Sequence, residues 1–124
     1  MYEFLFVSFG AILGANARFL ILGNLKNLNL QKDISVLIIN TTATFCLGLF
    51  LSIIDKVGSF IYSYQLVLLF SVGFLGSFST FSSFIYDLFE LSVEFKFYKG
   101  LKLFITSYFL GISAFAFGFF LVSQ

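Results

Sequence analysis

Val72-Gly73-Phe74-Leu75-Gly76-Ser77-Phe78-Ser79-Thr80-Phe81-Ser82-Ser83-Phe84 is the stretch on which the reading of this chain turns. It sets two glycines, five hydroxyls and four phenylalanines within thirteen residues. It lies inside an uncharged run from Val57 to Tyr86, longer than one membrane crossing requires. A helix crosses the hydrocarbon core with about 20 apolar residues. Two structures suit such a run. In one, the helix breaks mid-membrane, and its freed carbonyls are buried in protein or line a cavity, often around an ion. In the other, the helix is continuous, and its Ser and Thr hydroxyls bond back to the preceding turn. The segment by itself leaves both open.

Outward from it, charges punctuate the sequence. Further uncharged runs span Phe4 to Ala17, Ile34 to Ile54, and Leu103 to Gln124. The second and last fit one crossing each. The first reaches that length if Arg18 snorkels and Phe19 to Leu22 complete the helix. The expected fold is therefore all-α and integral to the membrane, with four transmembrane helices in one domain over residues 1–124. Glu3 near the start, and the lack of a small-residue cleavage site before Arg18, argue against a signal peptide.

The composition excludes several other classes. The 124 residues are 60% hydrophobic and 10% charged, whereas soluble domains carry roughly a quarter charged residues. A net charge of +1 gives no basic stripe for nucleic acid. There is no His, and Cys46 is the only Cys, which removes thiolate–imidazole, zinc, haem and disulfide chemistry. Every acid lies at the boundary of a run, so no nucleophile–base pair for an enzyme is in view. The 21 Phe, with abundant Ile, Leu, Asn and Lys and no Pro, are also what an AT-rich genome produces. Their number carries no function; their positions must.

Small and polar residues form stripes at helical spacing. They are Gly10 and Gly14 in the first crossing, Asn40, Thr44 and Gly48 in the second, and Ser107, Gly111, Ala114 and Gly118 in the fourth. Such stripes let membrane helices approach closely, and close packing is the expected role of all three. With four crossings, Lys26, Lys32, Lys96, Lys99 and Lys102 share one side with Arg18 near its edge, and Lys56 stands alone on the other. The positive-inside rule places the lysine-rich side in the cytoplasm and both termini outside.

The segment from Gly73 to Phe84, G-F-L-G-S-F-S-T-F-S-S-F, resembles the third-helix signature G-x-x-G-x-x-T-T-F-S-T-F of the small bacterial fluoride channels, the Fluc or CrcB family. Gly10 to Phe19, G-A-I-L-G-A-N-A-R-F, is similar to that family's first-helix motif G-x-x-x-G-A-x-x-R-Y/F. Leu37 to Gly48 is similar to its second-helix L-x-x-N-x-x-G/A-x-x-x-x-G. Ser79, Ser83 and Ser77 depart from the usual Thr, Thr and Gly, all as small residues.

The resemblance implies an antiparallel dimer of four-helix subunits with a broken third helix and two fluoride pores along the interface. It implies a structural sodium ion, not transported, held at the dimer centre by the main-chain carbonyls of Gly76 and Ser79 from both subunits. Sodium takes oxygen ligands, which an unwound segment supplies without a buried anion. Phe81 and Phe84 match the pore phenylalanines, whose electropositive ring edges face the anion. Asn40 matches the pore asparagine; its amide either donates to fluoride or bridges helices. Thr80 and Ser83 beside the rings form a polar track, extended from the fourth crossing by Ser107 with Tyr108. Arg18 matches the family arginine, which either draws anions into a vestibule or snorkels to lipid phosphate.

A self-paired antiparallel dimer needs little lysine bias, and this chain is biased. The expected partner is therefore an oppositely oriented paralogue, in the lipid of a prokaryotic inner membrane. Two alternatives stand beside a passive fluoride channel. A small multidrug or cation exporter needs an embedded carboxylate in the first helix, where Glu3 at the very start is the only acid. A non-transporting membrane subunit needs neither Asn40 nor Phe81.

Overall fold

The computed structural model describes residues 2–30, 32–58 and 61–124. Its elements are α1 (Tyr2–Asn27), α2 (Lys32–Val57), α3 (Ser63–Leu66), a π-helix (Val67–Leu75), α4 (Gly76–Phe78), α5 (Phe81–Val93) and α6 (Phe97–Ser123). They group into four crossings long and apolar enough to span a bilayer: Tyr2–Asn27, Asp33–Val57, Ser63–Val93 and Phe97–Ser123. At 1.5 Å per residue, each exceeds the hydrocarbon thickness of about 30 Å. Side chains such as Phe4, Phe19, Phe109 and Phe117 are exposed, while the buried apolar residues are few: Val36, Ile39, Ala43, Leu75 and Phe78. An apolar exterior of this extent is stable only where lipid covers it. The protein is a multi-pass membrane protein.

Glycines fasten the bundle into two tight pairs. On α1, a Cβ at Gly10 would strike the carbonyl of Leu69, and one at Gly14 the carbonyl of Phe74. Gly73 answers from the other side, where a Cβ would come 2.6 Å from the Val7 carbonyl. On α2, a Cβ at Gly48 would strike the Phe115 carbonyl, and on α6 one at Gly118 would strike that of Phe45. Without side chains between them, the backbones meet, and dispersion accumulates where hydrophobic exclusion is weak. Gly10, Gly14, Gly48 and Gly118 therefore pack as expected, while Asn40 and Thr44 of the second stripe line an open space instead. Gly111 does not pack: nothing lies nearer its Cβ position than Thr44 Cγ2 at 4.0 Å, so this glycine leaves space instead of filling it.

A thin core joins the two pairs. Ile39 and Ala43 of α2 meet Leu75 and Phe78 of the third crossing. Phe50, Phe70, Phe74 and Phe78 run alongside as a column of rings, with successive centroids 4.7, 5.5 and 5.9 Å apart. The Ser77 hydroxyl lies 2.9 Å from the Ala11 carbonyl and 2.7 Å from that of Gly73, adding a polar stitch between α1 and the third crossing.

The third crossing is broken. Ser79 (φ −72°, ψ 156°) and Thr80 (φ −138°, ψ 108°) are both extended, and a new helix begins at Phe81. Of the two structures the run allowed, the continuous helix is thus ruled out. Upstream, nine residues adopt the wider π form. At the lysine-rich end, α5 closes with Lys96 N–H donating to Leu91 C=O and Phe95 N–H to Ser92 C=O. That pattern puts Phe95 at the left-handed position, φ 59°, which glycine ordinarily fills.

Candidate functional site

The interruption leaves main-chain groups that must find partners inside the membrane. Asn40 supplies two of them. Its Oδ1 accepts from Thr80 N–H at 2.8 Å, and its Nδ2 donates to Thr80 C=O at 3.1 Å. The carboxamide thus replaces the helical bond that Thr80 N–H has lost and adds a second donor to the Thr80 carbonyl, which as N-cap also serves the first turn of α5. The Thr80 hydroxyl then caps α5, accepting from Ser83 N–H at 3.3 Å and lying 3.0 Å from Ser83 Oγ. Thr80 is buried, 5% exposed.

This clamp fixes the start of α5 and with it the rings that follow. Phe81 and Phe84 lie with centroids 6.4 Å apart at 42°, and Phe84 stacks on Phe104 of α6, also at 6.4 Å. Phe84 is half-buried between them, while Phe81 is 75% exposed. A hollow of about 280 Å³ opens between α2, α5 and α6, lined by Asn40, Phe81, Phe84, Phe104, Ser107 and Tyr108, with Gly111 at its edge. The space left at Gly111 is part of this hollow. Ser107 Oγ is buried and finds no hydrogen-bond partner among the described residues. A buried hydroxyl in that state carries an unmet desolvation cost and a proton available to an acceptor in the hollow.

The structure brings together four of the residues singled out in the sequence for the ion pathway: Asn40, Phe81, Phe84 and Ser107, with Tyr108 beside them. Thr80 and Ser83 sit behind the hollow instead of lining it, each occupied in the cap. Arg18, one turn beyond Gly14 on α1 and half-buried, is absent from the lining of this hollow. Phe104 was not singled out; its signal was its spacing, three residues before Ser107 on one helix face.

Gly76 and Ser79 lie at the break. In an unbroken helix the Gly76 carbonyl would accept from Thr80 N–H, but that donor is bonded to Asn40. Gly76 is exposed, and a Cβ there would meet nothing nearer than 3.9 Å. Carbonyl oxygens freed in this way suit a hard alkali cation, which needs oxygen donors and no ionised side chain.

One acid departs from its expected setting. Asp87 stands at the end of the uncharged run yet is buried, 5% exposed. Glu3, by contrast, is exposed in the first turn of α1, where Tyr64 O–H donates to it at 3.1 Å. The embedded first-helix carboxylate that a proton-coupled exporter uses is thus not what Glu3 provides.

Residues 5–119 match the model of a protein family described as CrcB-like protein, Camphor Resistance (CrcB). The chain belongs to this family. Relatives include the fluoride-specific ion channel FluC 2 of Prochlorococcus marinus (strain NATL2A), 60% identical over 124 residues and covering all of both chains. FluC 2 of Prochlorococcus marinus (strain MIT 9312) is 44% identical over 92 residues, 73% of this chain and 70% of its own. An archaeal relative, fluoride-specific ion channel FluC 3 of Methanosarcina barkeri (strain Fusaro / DSM 804), is 35% identical over 91 residues, 73% of this chain and 67% of its own. The family's members include channels and it is not a family of enzymes, in keeping with the absence of His and of any nucleophile–base pair in the sequence.

Proposed function

We propose that this chain is a passive fluoride channel that lowers cytoplasmic fluoride by letting it leak out down its electrochemical gradient across a prokaryotic inner membrane. The observation that carries the reading is the Asn40 clamp on Thr80, which holds Phe81 and Phe84 beside an amide and the unpartnered Ser107 hydroxyl. The names of relatives up to 60% identical support the choice of anion.

Fluoride is small and strongly hydrated, so a pathway must replace its water with polar groups without holding it too tightly to leave. Ring edges carry partial positive charge and attract an anion weakly. The second Asn40 N–H, not used on Thr80, and the Ser107 O–H supply stronger contacts on either side of the rings. A carbonyl or carboxylate facing the anion would repel it; none of the six named residues of the hollow presents a carboxylate.

The channel is an antiparallel dimer, with exposed Phe81 and Gly76 covered by the second subunit. At the centre, the Gly76 and Ser79 carbonyls of both subunits would hold a sodium ion, whose positive charge locks the two breaks together and is not transported. The lysine bias supports a partner encoded as a separate, oppositely oriented chain, and the numbering of relatives as FluC 1, 2 and 3 agrees with such multiplicity. Arg18 draws anions toward the pathway.

Fluoride efflux from liposomes, with chloride as control and sodium replaced by a bulky organic cation, tests the reading. Fluoride-selective efflux that falls when sodium is removed is expected, and Phe81→Ile is expected to abolish it. Efflux unchanged in Phe81→Ile would overturn the pathway, and equal chloride flux the selectivity. A C-terminal reporter split equally between the two orientations would overturn the two-chain dimer.

A further inference from the structure

The hollow beside Asn40 has a neighbour. Between the same three helices lies a cleft of about 490 Å³ lined by Asp33, Asp87, Glu90, Lys99, Lys102 and Thr106. The two follow one another in the same order on every helix. On α2, Asp33 precedes Leu37 and Asn40 by one and two turns; on α5, Phe81 and Phe84 lead to Asp87 and Glu90; on α6, Lys99, Lys102 and Thr106 lead to Ser107 and Gly111. All three orders place the cleft at the lysine-rich end. Asp87 is three residues from Phe84, about 4.5 Å along the axis.

The cleft is charged where the hollow is not. Three carboxylates and two ammonium groups share it, and one carboxylate, Asp87, is buried on the side of the pathway. Lys99, Lys102 and Glu90 are exposed. Low-dielectric walls focus the field of such groups onto whatever passes between them. An anion leaving water meets the two ammonium groups before it passes the buried carboxylate.

We infer that this cleft is the mouth of the pathway at the lysine-rich end, where Lys99 and Lys102 offset Asp33, Asp87 and Glu90 and so set how readily an anion is captured. The inference rests on the channel reading. Removing both lysines leaves three carboxylates facing the anion, and capture slows. Removing Glu90 tips the balance the other way. Both effects are long-range and fade as the Debye length shrinks from about 10 Å at 0.1 M to about 3 Å at 1 M salt. All three side chains are exposed, so neutral variants leave the packing of the bundle untouched.

Fluoride efflux from liposomes, read with a fluoride electrode at about 20 mM and about 1 M ionic strength, tests this with the full chain. The double variant Lys99→Gln/Lys102→Gln is expected to slow efflux by about tenfold at low ionic strength and to match the parent at high ionic strength. Glu90→Gln is expected to speed it at low ionic strength only. If the parent carries fluoride and the double variant equals it at low ionic strength, the mouth is wrong and the channel stands. If the parent carries no fluoride under either condition, alone or reconstituted with its oppositely oriented paralogue, the channel reading falls and takes the mouth with it.

Discussion

Asn40 and Thr80 are forty residues apart in sequence, yet the Asn40 carboxamide holds both the N–H and the C=O of Thr80, at 2.8 and 3.1 Å. The break in the third crossing is therefore built by the second. For the Thr80 N–H, a side chain on α2 does what the preceding turn of helix would have done, and the direction of α5 follows from it.

Replacing Asn40 tests this directly. Asn40→Ala leaves the Thr80 N–H without a partner inside the bundle, a loss of about 1–3 kcal/mol for a buried unsatisfied group. Thermal unfolding in detergent is expected to show that loss, and fluoride efflux to fall sharply, because the start of α5 that carries Phe81 and Phe84 loses its anchor. Asn40→Asp keeps the acceptor for Thr80 N–H and is expected to recover part of the stability but none of the efflux, because a carboxylate repels the anion. Recovery of both would mean that the amide proton has no part in conduction.

The glycine fastenings make a second, sharper comparison. Gly10→Ala and Gly48→Ala place a methyl group against main-chain carbonyls that cannot move aside, with an expected cost of about 1–3 kcal/mol. Gly23→Ala meets nothing within 4 Å and is expected to be neutral or slightly stabilising in the same unfolding assay. Equal behaviour of all three would show that the helices are not in backbone contact.

Thr80 offers a test of the cap. Thr80→Ala removes the hydroxyl that accepts from Ser83 N–H and is expected to cost about 1 kcal/mol, while Thr80→Ser keeps it and is expected to cost only a few tenths. Circular dichroism melts of the two variants separate these outcomes.

Phe95 stands in a left-handed conformation that costs a residue with a Cβ roughly 1–2 kcal/mol. Phe95→Gly relieves that strain at an exposed turn and is expected to raise the melting temperature, less any gain in unfolded-state entropy. A lowered melting temperature would mean that the ring itself anchors the turn.

Much of this architecture could be read from residue types alone. Four crossings follow from the spacing of charges, because lipid tolerates few of them. The close approach at Gly10, Gly14, Gly48 and Gly118 follows from small residues at helical spacing. Gly111 has the same spacing and serves the opposite purpose, since spacing fixes a face but not what lies across it. The break was one of two options at Gly73 to Phe84, because Ser and Thr serve a helix and an interruption equally well. Asn40's partner was illegible for a different reason: it is a backbone group, exposed only once the break exists. The π turn from Val67 to Leu75 has no residue signature at all. Asp87 sat at a run boundary, where water was the natural expectation, and only the approach of α2 and α6 buries it.

Among the helices longer than two turns, the two glycine-fastened pairs leave α5 with the least contact to its neighbours, held at one end by Asn40 and along its side by α6. Local opening begins where few packed contacts oppose it. Amide protons of Ile85 to Phe89 should then trade for deuterium ahead of those in α2, and the Phe81 and Phe84 rings, riding on that strut, would be the most restless part of an otherwise tightly bound molecule.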